Sequence, residues 1–146
     1  MRSNLLQFPV KCLWALAWRC RSYVKFAFFR CLPGTYFKSV GWGTRFFGRV
    51  RFGSVEGNIV VGKNCMIGHD VFLSAAKDCV IEVGNSASLN TGCHVVAVYG
   101  IRIGNNTHVG EYCSIRDQNH AFSATDRPIA EQGFTGAPIV IEDDVW

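Results

Sequence analysis

The sequence predicts an all-β fold, a solenoid of stacked parallel strands, and a six-residue repeat is the main reason. From residue 61 onward, aliphatic residues recur every six positions, and a small or polar residue usually follows each of them. The hexads begin at Val61, Ile67, Leu73, Val83, Leu89, Val95, Ile103, Val109, Ile115 and, after a break, Ile141. Glycine recurs with the repeat at positions 62, 68, 84, 104 and 110. Such positions are expected where the chain bends tightly and a Cβ would be costly.

The hexads fall into sets of three, which predicts one solenoid turn per set. The sets start at Val61, Val83 and Ile103. A period of six fits neither a helix nor a simple strand. Each hexad should therefore give one short strand, with successive turns stacked about 4.8 Å apart. A second inward position falls four places into each hexad, and in the Leu73 hexad it is either Ala75 or Lys77. A β-sandwich of short strands would instead show two-residue alternation and less regular spacing.

Residues 1–32 differ from the repeat because they are aromatic and basic, and they predict an amphipathic α-helix. On a helix, one face collects Leu13, Leu16, Ala17, Cys20, Val24 and Ala27, and the cations fall on the broad opposite half. Such a helix suits a bilayer interface. Packing on the rest of the domain or on a sister subunit is an equal alternative. Pro33-Gly34 ends the segment, residues 33–60 are predicted to form a transition and an irregular first coil, and residues 61–146 form the repeat domain.

Charge and composition limit the partners and the compartment. Hydrophobic residues make up 49% of the 146-residue chain and charged residues 18%, which excludes a disordered protein. Residues 1–60 hold most of the cations and a single acid, Glu56, so an anionic membrane surface is the predicted partner. No nucleic-acid-binding motif accompanies them. Because the chain has no convincing signal peptide or membrane span, a cytoplasmic protein is expected, with peripheral contact on the inner face of the cell membrane through residues 1–32.

The seven cysteines predict neither a disulfide framework nor a zinc site. None forms a CxxC pair, and Cys65, Cys93 and Cys113 occupy equivalent positions of the repeat. We therefore interpret these three as small core residues in a reducing cytoplasm.

Residues 61–146 resemble the hexapeptide-repeat acyltransferases, and most closely the maltose, galactoside and polysaccharide acetyltransferases. The stretch VGNSASLNTGCHVVAVYGIRIGNNTHVGEYCSIRDQNH is similar to their central coils, and GAPIVIEDDVW is similar to the segment that re-enters the solenoid after their active-site loop. The resemblance implies a left-handed parallel β-helix, a homotrimer, and acetyl-CoA as co-substrate. It also implies an acceptor sugar, which the basic aromatic head suggests belongs to a cell-surface polysaccharide or its lipid-linked precursor.

His120 is the predicted catalytic residue on two grounds. It ends a coil and opens an 18-residue break in the repeat, Ala121 to Pro138, and a long loop that interrupts a solenoid is usually a binding loop. In the resembled enzymes a catalytic histidine stands at this point. Sugar acylation needs a base that titrates near neutral pH and backbone N–H groups at a coil corner for the thioester oxygen. The alternative is a solvated turn histidine.

Three further residues are predicted to bind substrate. The resemblance places Asn90, on the preceding coil, beside the acceptor hydroxyl, and Trp146, on the coil after the loop, in the wall of the site. Asp117 lies three residues before His120 and is placed to orient its imidazole, although a solvated turn aspartate is an equal alternative. No metal is expected from His69, His94 and His108, because His94 and His108 point from different corners of the solenoid.

Two other functions remain open from the sequence. One is a non-catalytic β-helix module that binds a membrane or partner subunits. The other is a serine or amino-sugar acetyltransferase, because the same base serves oxygen and nitrogen acceptors. The chain also stops at Trp146 within a repeat, and Glu142 stands where the resembled enzymes usually have glycine. We therefore expect either a C-terminally truncated fragment or a partner that covers the open end.

Overall fold

The structure is a computed structural model that describes residues 20, 24, 25, 27, 28, 36–53 and 58–146. Five of these residues, Cys20, Val24, Lys25, Ala27 and Phe28, have helical backbone, and the rest of the helix predicted over residues 1–32 lies outside the described residues. Among the described residues, no helix is long and apolar enough to cross a membrane.

From residue 39 the chain winds through four turns of three strands and begins a fifth. The first turn is β1 (Ser39–Val40), β2 (Arg45–Phe46) and β3 (Val50–Phe52), and the second is β4 (Ile59–Val61), β5 (Met66–Ile67) and β6 (Val71–Ala75). The third is β7 (Ile81–Val83), β8 (Ser88–Leu89) and β9 (His94–Ala97), and the fourth is β10 (Ile101–Ile103), β11 (His108–Val109) and β12 (Ser114–Arg116). An excursion follows with β13 (Gln118–His120), a short 3-10 helix (Ile129–Glu131) and β14 (Phe134–Gly136), after which β15 (Ile139–Ile141) begins the fifth turn.

Equivalent strands of successive turns pair in parallel and build the three sides of the solenoid. Sheet 1 has the order β1-β4-β7-β10-β15, sheet 2 is β2-β5-β8-β11, and sheet 3 is β3-β6-β9-β12. Ile59 pairs with Ile81, 22 residues later, and Ile81 pairs with Ile101 after a further 20. The predicted all-β solenoid of stacked parallel turns is therefore confirmed for the repeat.

The hexad residues form the core, as the periodicity predicts. The aliphatic residues that begin the hexads of the second and third turns are at most 2% exposed, namely Val61, Ile67, Leu73, Val83, Leu89 and Val95. Each such side chain contributes roughly 1.5–3 kcal/mol by leaving water. At the position that the sequence left open, Ala75 is buried and Lys77 is exposed, so the inward residue is Ala75.

The first turn is in register with the second, although its sequence lacks the repeat. Val50 pairs with Val71 and Phe52 with Leu73, so this part of the predicted irregular first coil is a regular strand. Aromatic rings replace the aliphatic core here: Tyr36 stacks on Phe52 with ring centroids 4.3 Å apart. Buried Phe37 meets the same ring edge-on at 5.3 Å. The start of the solenoid is thus closed by aromatic packing.

Buried cysteines confirm most of the core interpretation. Cys65 and Cys93 are 0% exposed and Cys79 is 5% exposed. Burial raises the pKa of these three thiols, which therefore stay protonated and unreactive near neutral pH. The prediction is wrong for Cys113, which is exposed because β12 is the outermost strand of sheet 3.

The corner between sheets 1 and 2 has the same backbone conformation in every turn. Between sheets 1 and 2 each turn places one residue at positive φ, and these residues are Gly43, Asn64, Ser86, Asn106 and Asp144. An amide ladder runs beside them: Asn85 Oδ1 accepts from Lys63 N–H, Asn105 Oδ1 from Asn85 N–H, and Asp143 Oδ1 from Asn105 N–H, at 2.9, 2.9 and 2.7 Å. The Asn105 contacts lower the pKa of Asp143.

A column of glycines next to this ladder lets the turns approach one another. A Cβ on Gly62 would lie 2.6 Å from the Gly84 carbonyl oxygen, and one on Gly84 would lie 2.6 Å from the Gly104 carbonyl carbon. Glu142 falls at the next position of the column, directly after the outermost strand of sheet 1, and no described residue lies over it. The column therefore accepts a side chain at this position without a clash.

The third corner, between sheets 3 and 1, changes in every turn. Five residues (76–80) connect the strands in the second turn, three (98–100) in the third, and 22 (117–138) in the fourth. The length of the connection between strands thus varies mainly at this corner, and the candidate site begins here.

Candidate functional site

The 22-residue excursion is an antiparallel hairpin that leaves the solenoid. Gln118 pairs with Gly136, and His120 pairs with Phe134. The departure begins at Asp117, a few residues before the predicted loop start at Ala121, because β13 pairs with β14 rather than with sheet 1. Most of the segment is exposed, including the rings of Phe122 at 76% and Phe134 at 51%. The excursion therefore offers a surface to a ligand or a partner.

His120 lies on the exposed face of this hairpin. Its ring centroid is 4.6 Å from that of Phe134, with the ring planes inclined by 41°. The described residues form no hydrogen bond with the imidazole, so both ring nitrogens are available to a ligand or to water. The Phe134 ring limits the positions of the imidazole on one side. This arrangement suits proton exchange with a group that approaches from solvent.

Asp117 has a different role from the predicted one. Its carboxylate is 5% exposed and accepts hydrogen bonds from the backbone N–H groups of Val98, Tyr99 and Gly100, the shortest at 2.8, 2.8 and 2.7 Å. Among the described residues the carboxylate hydrogen-bonds with these amides, and not with the His120 ring. Asp117 thus stabilises the corner below the hairpin, and the interpretation as an orienting residue is corrected.

The engagement of these amides by Asp117 affects the predicted oxyanion site. The sequence predicts that N–H groups at a coil corner stabilise the thioester oxygen, but the three amides at 98–100 are already bound to Asp117. Donors for an oxyanion at this corner would have to come from elsewhere.

Replacement of Asp117 by alanine is expected to lower the free energy of unfolding by about 3 kcal/mol, because three buried amides lose a charged acceptor. Urea denaturation followed by circular dichroism measures the change. Asp126, an exposed loop aspartate, provides the matched control, and its alanine variant should stay within about 0.5 kcal/mol of the wild type. An Asp117→Ala variant as stable as Asp126→Ala would refute the structural role.

Two residues that the sequence did not identify hold the hairpin in place. The Tyr99 hydroxyl donates to the Phe134 carbonyl oxygen at 3.3 Å, and the Tyr99 ring packs against Gly136. The Gln132 side chain exchanges two hydrogen bonds of 2.9 Å with the Ala124 backbone and closes the tip. An aromatic residue at the fifth position of the Val95 hexad was the available signal for Tyr99. Gln132 had none.

The predicted substrate-binding residues lie on other parts of the solenoid. Asn90 is half-buried at the corner between sheets 2 and 3, where its N–H donates to Val109 and its carbonyl accepts from Cys93. Trp146 is 95% exposed and follows Val145, whose carbonyl accepts from the His108 amide of sheet 2. A single chain therefore does not bring Asn90 and Trp146 to the corner from which His120 departs.

A shallow groove of about 350 Å³ lies beside the base of the hairpin, on the outer face of sheet 1. It is lined by Tyr99, Gly100 and Pro138, with Glu82 and Arg102 on its floor. His120 does not line this groove. The groove therefore adds a surface next to the site without containing the imidazole.

In the part of the chain that the structure describes, no group of three His, Cys, Asp or Glu side chains is placed to hold a metal ion. His69 lies at the corner between sheets 2 and 3, His94 on sheet 3 and His108 on sheet 2.

The fold and the hairpin define the class of this chain as a parallel β-solenoid with one long excursion. Comparison with known proteins adds no relative: no family model matches the chain, and neither a curated protein nor a solved structure matches it significantly.

Proposed function

We propose that this protein is an acetyl-CoA-dependent O-acetyltransferase that moves an acetyl group to a sugar hydroxyl, on a left-handed β-helix of hexapeptide repeats. One observation carries the proposal: the long excursion of the described solenoid opens at an exposed histidine held against Phe134. The sequence resemblance of residues 61–146 to sugar acetyltransferases supplies the reaction. The acceptor is proposed to be a sugar of a cell-surface polysaccharide or a lipid-linked precursor.

In the proposed reaction, His120 removes the proton of the sugar hydroxyl as its oxygen attacks the thioester carbonyl. The tetrahedral intermediate then collapses, the C–S bond breaks, and coenzyme A leaves as the thiol after it receives a proton. A positioned base of this kind contributes roughly 10²–10⁴-fold to the rate.

A homotrimer is part of the proposal because one chain separates the proposed site residues. Asn90 lies at the corner between sheets 2 and 3, and His120 extends from the corner between sheets 3 and 1. Three solenoids packed side by side would bring unlike corners of neighbouring copies together. Asn90 and Trp146 would then act on substrate from the partner of the copy that provides His120.

The proposal is tested by release of free coenzyme A from acetyl-CoA, with and without sugar acceptors. Thiol release that depends on the acceptor, together with an acetyl ester detected by mass spectrometry, is the expected result. No acceptor-dependent release from a protein shown to be folded, across mono- and oligosaccharide acceptors, would refute it.

A non-catalytic β-solenoid module is the second candidate. It is favoured by the engagement of the corner amides by Asp117, which leaves the corner without the donors that the chemistry needs. Such a module would not bind acetyl-CoA and would not release coenzyme A from it. The same assay therefore separates the two functions.

A further inference from the structure

The outer face of sheet 3 carries a line of side chains that the proposed reaction does not use. In neighbouring turns Arg51 pairs with Phe72, Phe72 with His94, and His94 with Ser114. Since paired residues of parallel strands point to the same side, these four side chains lie in one column, with turns about 4.8 Å apart. Arg51 and Ser114 are exposed, and Phe72 and His94 are half-buried.

Arg51 spans two turns of this column. Its guanidinium carbon lies 5.6 Å from the centre of the Phe72 ring, and its Nη2 lies 3.3 Å from His94 Nε2. A guanidinium only donates hydrogen bonds, so His94 Nε2 accepts in this contact.

A second guanidinium reaches the column from above. Arg116 Nε donates to Ser114 Oγ at 3.3 Å, so the side chain leans back toward Ser114, which is the residue paired with His94. Arg51 thus contacts His94, and Arg116 contacts Ser114, the residue paired with His94 in the next turn. Two guanidinium groups on adjacent turns can bind different oxygens of one phosphate.

The nearby described carboxylates do not neutralise this pair. Asp70 forms its ion pair with Arg49, at 2.9 Å. Asp117, which directly follows Arg116, is buried on three backbone amides. Glu111 lies at the corner between sheets 2 and 3, before Ser114 in the chain. The column together with Arg116 contains two arginines, a histidine and a hydroxyl, and no acid.

We propose that the outer face of sheet 3 binds a phosphate group, as a phosphomonoester, through Arg51, Arg116, His94 and the Ser114 hydroxyl. Guanidinium groups recognise phosphate with paired, charge-assisted hydrogen bonds, and the hydroxyl adds a donor. The site does not depend on the proposed acetyl transfer.

Isothermal titration of the full chain with glycerol 3-phosphate tests the site. Arg51→Gln and Arg116→Gln should each weaken binding about tenfold, since each removes a charge-assisted contact. Arg102→Gln, an exposed arginine on sheet 1, is the matched control and should bind like the wild type. Equal affinity in all four proteins, or an equal loss in Arg102→Gln, would overturn the proposal.

His94→Gln tests the contribution of the imidazole to this site. The variant should bind glycerol 3-phosphate more weakly than the wild type, because it removes the ring that contacts Arg51. Unchanged affinity in His94→Gln would refute the role of His94.

Vesicles of phosphatidylcholine with and without phosphatidic acid identify the source of the phosphate. A tenfold loss of binding to phosphatidic acid vesicles in Arg51→Gln and Arg116→Gln supports a lipid headgroup at this face. Vesicle binding that is the same in these variants, together with weakened glycerol 3-phosphate binding, supports a soluble phosphomonoester.

Discussion

Alanine at position 120 is expected to lower the turnover number for sugar acetylation about 10²–10⁴-fold, with a smaller change in the KM for acetyl-CoA. The imidazole is the proposed base and lies exposed at the opening of the hairpin. Its loss would leave water to accept the hydroxyl proton. Steady-state release of coenzyme A at saturating acceptor measures the effect. Since His120 is exposed and forms no hydrogen bond with the described residues, the variant should retain wild-type stability.

Asn119 provides the matched control for this experiment. It precedes His120 on β13 and is also exposed, but successive residues of a strand point to opposite faces. Asn119→Ala should therefore keep a turnover number within about twofold of the wild type, which corresponds to less than 0.5 kcal/mol. Equal turnover in His120→Ala and the wild type would remove His120 from the reaction. Equal losses in both variants would show that the hairpin, rather than the imidazole, had been disturbed.

Gly84→Ala is expected to cost about 3 kcal/mol of unfolding free energy, the upper end of the usual cost of overpacking. The added Cβ would lie 2.6 Å from the Gly104 carbonyl carbon and 2.7 Å from the Asn105 nitrogen. Both are backbone atoms of the next turn, so neither can rotate away, and the two turns would have to separate along sheet 1. Urea denaturation measures the change, which should appear as a lower midpoint with a similar slope.

Gly110→Ala controls for the change of residue type. It introduces the same methyl group at a corner of the fourth turn, where no atom lies within 4 Å of the new Cβ. Reduced entropy of the unfolded chain should leave this variant unchanged or more stable by about 0.4–1 kcal/mol. A loss in Gly110→Ala as large as that in Gly84→Ala would contradict the argument from contact between turns.

The sequence predicted the solenoid well because its period is a direct consequence of the geometry. Each side of a turn needs an inward aliphatic residue, so Val61, Ile67 and Leu73 had to recur at intervals of six and be buried. The same reasoning extended to residues between them, such as Cys65. This reasoning did not require knowing which residues of neighbouring turns are in contact, since every turn repeats the same contacts.

Features that depend on one particular contact could not be predicted. An aspartate three residues before a histidine is compatible with an orienting role, and only the folded corner brings the amides at 98–100 to Asp117 instead. Cys113 has the repeat position of a core residue, but its exposure depends on the strand order of sheet 3. The regular pairing of the first turn was also hidden, because Phe37 and Phe52 replace the aliphatic pattern there.

The unequal corners have a consequence for how this scaffold accommodates change. After 22 residues outside the sheets, β15 returns to sheet 1 with Ile139 opposite Ile101, so the register is the same as if the chain had turned directly. The ends of that excursion lie side by side, which keeps the entropic penalty of a longer connection small, because it grows only with the logarithm of its length. Insertions and deletions at this corner therefore have little effect on the stability of the solenoid. New binding specificities can be acquired there while the remainder of the architecture stays constant.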